Sequence, residues 1–128
     1  MCMDLISSRR ERRLKHEYSG VNINARDIMY KPILITQFEI TESSLNKGKD
    51  MLVAQVYYWK SVEENGIKDR VRVKAVLFCE SYNLIKTIRG TDDRLPHMTK
   101  ITKKKDGYYY FTKLNDTEKS NLNDLQND

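Results

Sequence analysis

Five residues combine rings and cations at a spacing that could do chemistry: Tyr57 and Trp59, two apart, and Arg70, Arg72 and Lys74, each two apart. In an extended strand side chains alternate between faces, so each set lies on one side of its strand. Between the two sets stands Asn65-Gly66, flanked by apolar-alternating runs. That dipeptide is the strongest short-range hairpin signal, because a type I′ turn needs positive φ at both central residues. The turn predicts a register in which Glu64 faces Ile67, Trp59 faces Arg72 and Tyr57 faces Lys74. On the other face Tyr58 then meets Val73, Val56 meets Ala75, Ala54 meets Leu77 and Leu52 meets Cys79, a side that is almost wholly apolar. Turn and pattern agree without a bulge, and a one-residue slip would bury the arginines. Rings for base stacking beside cations for phosphates are the chemistry of a surface for single-stranded nucleic acid. The plain alternative is cross-strand packing on a solvent-facing sheet.

Further candidates lie in two loops. Lys47 and Lys49 sit in a polar loop over residues 43–50, and Lys100 with Lys103, Lys104 and Lys105 flank a second turn centred on residues 105–107. In a small barrel such loops fold over a bound strand; a solvated turn is the competing reading. Tyr108 and Tyr110 are expected to add stacking surface, with Tyr109 and Phe111 divided from them by alternation. A two-residue and a three-residue loop both fit this turn, so the pattern leaves open which tyrosines face inward.

Catalysis has little to stand on. His16 and His97 are far apart and lack paired carboxylates. Asp92-Asp93 has no third acid at the spacing a divalent ion in a nuclease needs. There is no Walker loop, no GxSxG and no Gly-rich phosphate cradle, and Cys2 and Cys79 have no metal-ligand spacing. A non-catalytic protein without cofactor or metal is expected.

Charge points the same way. The chain of 128 residues carries a formal net charge of +5. Residues 1–28 hold six basic against four acidic residues, and residues 115–128 hold four acids against one lysine, which leaves +6 on residues 29–114. A basic body suggests a polyanionic partner. No apolar stretch approaches the ~18 residues of a membrane helix, and the N-terminus lacks the apolar centre of a secretory signal. A cytoplasmic protein with two free thiols is expected.

The elements that position these residues follow in order. Residues 1–28, with Arg9, Arg10, Arg12 and Arg13, read as a basic arm: a solvated terminus, a nucleic-acid contact, or an element that docks on a neighbouring subunit and makes a homo-oligomer. A first strand is expected over 32–41, with Leu34, Thr36, Phe38 and Ile40 on one face and Ile35, Gln37 and Glu39 on the other. The hairpin strands span roughly 51–60 and 68–79. A short helix follows, capped by Ser81, with Leu84, Ile85 and Ile88 on one face and Gly90 to end it. The second hairpin spans roughly 97–104 and 108–114. Residues 115–128 have few apolar side chains and are expected to be a disordered acidic tail.

Five strands with a single helix between the third and fourth (β-β-β-α-β-β) is the layout of the OB-fold, an all-β barrel whose second and third strands carry much of the ligand face. With the stretches MLVAQVYYWK and DRVRVKAVLFCE on those two strands, the chain over residues 30–114 resembles the small OB-fold single-stranded DNA-binding proteins of bacteria. These include divergent forms carried by phages and by Gram-positive conjugative plasmids (the PrgE type). The resemblance implies binding of single-stranded DNA without strong sequence preference, self-association, and a place in plasmid or phage replication or conjugative transfer. RNA offers the same base faces and stays open. A protein-interaction module on the same small barrel is the alternative function. The chain ends Leu125-Gln126-Asn127-Asp128, without the terminal Phe by which cellular single-strand binders recruit partners.

Overall fold

Asn65 and Gly66 adopt φ of 55° and 79°, the pair of positive values a type I′ turn requires. The structure, a computed structural model, describes residues 14–43, 47–90 and 95–126. The turn joins β3 (Asp50–Glu64) to β4 (Ile67–Cys79), and the ladder runs without interruption from Glu64↔Ile67 through Trp59↔Arg72 and Tyr57↔Lys74 to Leu52↔Cys79. This is the register expected from the sequence. The remaining elements are β1 (Val21–Ile23), a 3-10 turn (Ala25–Ile28), β2 (Pro32–Glu42), α1 (Tyr82–Ile88), β5 (His97–Lys103), β6 (Tyr109–Thr112) and α2 (Asp116–Gln126). The strands form one curled, half-barrel sheet in the order β1-β4-β3-β2-β5-β6.

The concave side holds the main core. Leu52, Ala54, Val56 and Tyr58 of β3 pack with Ala75, Leu77 and Cys79 of β4, Ile33, Ile35 and Phe38 of β2, and Ile101 of β5. Leu84, Ile85 and Ile88 of α1 close this core, and the Ser81 hydroxyl accepts from the Leu84 N–H to cap the helix. Removing one such fully buried aliphatic side chain from water is worth about 1.5–3 kcal/mol, so the core outweighs any surface contact described below.

Four expectations are corrected. The described residues form six strands and two α-helices, where five strands and one helix were expected. In β2 the strict alternation fails: the register shifts between Ile35 and Gln37, leaving Thr36 as the extra residue of a β-bulge. The bulge lets Ile33 and Ile35 share the concave side with Phe38, while Leu34 points to the convex side. Residues 14–28 are not a free arm. Gln55 Nε2 donates to the Ser19 and Ala75 carbonyls, at 2.8 and 3.0 Å, and its Oε1 accepts from the Ser19 N–H at 3.0 Å. Glu39 accepts from the Lys15 and His16 N–H groups and from the Tyr18 hydroxyl. Burial raises the Glu39 carboxyl, but these donors outweigh it and hold the group below its ordinary value; the same burial, helped by Glu39, drives the Tyr18 hydroxyl strongly upward. This segment leads into β1, which adds to the edge of β4 in parallel, Val21–Ile23 against residues 75–77. Only glycine fits at position 20: its φ is 112°, and a Cβ would stand 2.2 Å from the Lys74 carbonyl oxygen. Finally, residues 116–126 form a helix, where a disordered tail was expected. Arg9, Arg10, Arg12 and Arg13 lie outside the described residues.

Candidate nucleic-acid interface

The β3–β4 ladder carries Gln55, Tyr57 and Trp59 on the convex side, with Lys68, Arg70, Arg72 and Lys74 beside them. Each arginine leans diagonally onto the ring two positions back. The Arg70 guanidinium lies 4.0 Å from the centre of the Trp59 ring, and that of Arg72 lies 4.4 Å from the Tyr57 ring. Exposed contacts of this kind contribute about 0.5–1 kcal/mol each. Neither ring belongs to the main core, and both are half-buried. The four cations alternate along β4, whose side away from β3 has no described strand pairing along residues 67–74, and such a charged edge resists pairing with a second sheet.

The second feature of this side was not foreseen. Helix α2 lies across it, and Leu122 and Leu125 pack with Leu34 and Leu114 into a small cluster of their own, bordered by Tyr57, Trp59 and Met98. The Trp59 Nε1–H donates to the Asn121 carbonyl at 2.8 Å. Asp124 pairs with Arg70 at 2.9 Å and Glu118 with Lys100 at 3.0 Å. The first pair is wet, with side chains 41% and 60% exposed, and adds about 0–1 kcal/mol. Asn115 and Glu118 cap the helix reciprocally: the Glu118 N–H donates to Asn115 Oδ1 at 2.8 Å, and the Asn115 N–H donates to Glu118 Oε1 at 3.0 Å. The signal was legible, an Asn-x-x-Glu box with leucines at 114, 122 and 125, but the low apolar content of the segment masked it.

The Asn115 N–H, followed by the Lys100 ammonium, holds the Glu118 carboxyl below the usual carboxylate value. A depressed folded-state value means that the contribution is fully present above the unfolded value of about 4.3 and is lost as pH falls through the folded one. Between pH 7 and 5, hydrogen exchange of the α2 amides should therefore report constant protection after correction for the intrinsic pH dependence. Below about pH 4 their protection should drop before that of the β3–β4 amides. Simultaneous loss in both regions would show that Glu118 does not govern the seat.

At the far edge of the sheet the second hairpin takes the three-residue option. Thr102 pairs with Tyr110 and Lys103 with Tyr109; the Lys104 N–H donates to the Tyr108 carbonyl, and Gly107 supplies a φ of 87°. Tyr108 and Tyr110 consequently face the convex side with Lys104, whose ammonium lies 4.4 Å from the Tyr110 ring centre. Tyr109 and Phe111 turn inward against the main core. Lys103 shares the inward-facing side of the pairing with Tyr109, its ammonium 6.0 Å from that ring, and does not join Lys104. Lys47 and Lys49 are likewise not brought to the rings. They lie at the other end of β3, roughly 30 Å along the strand from Trp59 at ~3.3 Å per residue. Lys49 there lines a cleft of about 390 Å³ with Asp50, Glu80, Tyr82, Lys86 and Arg89, and Arg89 pairs with Asp50 at 3.1 Å. Tyr30 is exposed at the end of the sheet where the second hairpin turns, and its hydroxyl donates to the Lys103 carbonyl at 3.2 Å.

The convex side thus offers two aromatic–cationic patches, Tyr57/Trp59/Arg70/Arg72/Lys74 and Lys104/Tyr108/Tyr110, with an acidic helix between them. Among the described residues no three His, Cys, Asp or Glu side chains cluster as a metal site would require. Burial holds the Cys79 thiol above its ordinary value. Asp92 and Asp93 lie outside the described residues. No helix among those residues is long and apolar enough to cross a membrane.

A family model described as a domain of unknown function (DUF8468) matches residues 19–112, the stretch from the turn before β1 to the end of β6. No curated protein and no solved structure matches the chain.

Proposed function

The chain belongs to the DUF8468 domain family, and from the convex side of its sheet we propose that it binds single-stranded nucleic acid without catalysis, DNA in the first instance. The observation that carries this reading is the row of cations on β4, two of them stacked on β3 rings at 4.0 and 4.4 Å. A base can replace the guanidinium on a ring face while the released cation meets the phosphate, so one site serves stacking and neutralisation together. Lys104, Tyr108 and Tyr110 extend the surface at the far edge of the sheet.

Strand order supports an OB-type reading. Strands β2 to β4, α1, β5 and β6 follow one another as the five strands and single helix of that fold do, and β2 pairs with both β3 and β5. The departure is at the seam, where β4 pairs with β1 and has no described pairing with β6. The resemblance to plasmid- and phage-borne single-strand binders makes replication or conjugative transfer the setting we propose, with the self-association that the resemblance implies.

The direct test is titration of the full chain with oligo(dT). Trp59 is the single tryptophan, so its emission reports the proposed surface. Quenching is expected on addition, with an affinity that falls steeply between 50 and 200 mM salt. An unchanged emission and no binding at 50 mM salt would overturn the proposal. RNA of equal length, run alongside, separates the two polymers.

The seat of α2 favours a second reading, in which the convex side is built to hold an acidic amphipathic helix and its cations serve that contact alone. A chain that ignores oligonucleotides in the titration, and continues to ignore them when α2 is unseated, would favour that reading.

A further inference from the structure

Resting on the nucleic-acid reading above, we propose that α2 is a displaceable acidic cover, so that a single strand reaches the convex side only by unseating the helix. The contacts of α2 fall on the groups a strand would use. Asn121 occupies the indole N–H of Trp59, Asp124 occupies Arg70 and Glu118 occupies Lys100. The two carboxylates stand where phosphate oxygens would, and the floor beneath the helix, Leu34, Met98, Tyr57 and Trp59, is the apolar and aromatic surface that base faces need. Helix and strand cannot both hold these groups.

Three further observations make the cover removable. The match to the family model ends at residue 112, before α2 begins. Its leucines form a cluster separate from the main core, which keeps its own side chains when the helix leaves. And α2 has 11 residues, below the ~12–15 that hold a helix in water unaided, so once off the sheet it melts and does not compete as a preformed ligand. Its three acids against one lysine add repulsion from an arriving phosphate chain.

Hydrogen exchange on the full chain, with and without saturating oligo(dT), tests the cover directly. The α2 amides are expected to exchange at least tenfold faster in the complex, while the β3–β4 amides keep or gain protection. The double variant Glu118→Gln with Asp124→Asn removes both paired carboxylates, retains the capping box through Gln, and is expected to bind oligo(dT) about 3- to 10-fold more tightly at low salt. Asp116→Asn, which changes a carboxylate of α2 outside the two ion pairs, serves as the charge control and is expected to give a smaller gain. Binding with α2 as protected as in the free chain, or a double variant no tighter than this control, overturns the cover and leaves the nucleic-acid reading standing. No binding by either the native chain or the double variant removes both.

Discussion

Replacing Arg72 and Lys74 together by alanine is expected to lower the affinity for oligo(dT) about 25-fold at 0.1 M salt and to flatten the salt dependence. The size follows from counterion release. Each phosphate contact on a single strand contributes about 0.7 to the slope of log K against log salt, so two contacts remove about 1.4 from the slope and a comparable logarithmic amount of affinity at that concentration. Arg72 covers the Tyr57 ring at 4.4 Å, and Lys74 stands opposite the same tyrosine across the ladder. Both are exposed, so the fold should lose little, within the ~0.5 kcal/mol of ordinary surface substitutions. Fluorescence titrations at four salt concentrations read affinity and slope together. A variant that keeps the native slope would show that these side chains do not meet phosphates, even if its affinity has changed.

The second large effect separates the two partners of Trp59. Stacking is worth about 1–3 kcal/mol per base, so Trp59→Ala should cost roughly 5- to 150-fold in affinity. The indole also donates to α2 through Nε1, and the alanine variant loses that contact as well, which works in the opposite direction. Trp59→Phe isolates the terms. It keeps a ring for stacking and removes only the donor to Asn121, a contact of about 0.5–1.5 kcal/mol. Its affinity is expected within threefold of the native chain, well above that of the alanine variant. Trp59 lies outside the main core, so both variants should remain folded by thermal melting. Equal binding by the phenylalanine and alanine variants would exclude a ring as the contact; unfolding of the sheet by either would make the indole a core residue.

The separation of these effects reflects how the interface is assembled. Tyr57, Trp59, Arg70, Arg72 and Lys74 come from one hairpin, and neighbours along the chain fix their register. Asn65-Gly66 admits one tight turn, and period-two alternation admits one side to the core. The same local logic made α1 legible, since Ser81 and three spaced aliphatics specify a capped helix against a core. The second hairpin was legible as an element and undecided as a register. One residue more or less in its loop turns Tyr108 and Tyr110 to the other side, and the choice rests on how Phe111 and Tyr109 pack against the core.

Sequence alone therefore settled the ladder that presents rings and cations side by side, because a tight turn and a two-residue period act over a few bonds. Tertiary structure alone decided the bulge at Thr36, the addition of β1 to the edge of β4, the separation of Lys47 and Lys49 from the rings, and the seating of α2. Those outcomes depend on surfaces built from residues distant along the chain: Leu34, Trp59 and Met98 make a floor for Leu122 and Leu125, and Trp59 meets Asn121 across 62 positions. A short acidic segment with two inward leucines gains order only when such a floor exists, because the burial it finds there outweighs the conformational entropy that would otherwise keep it unfolded.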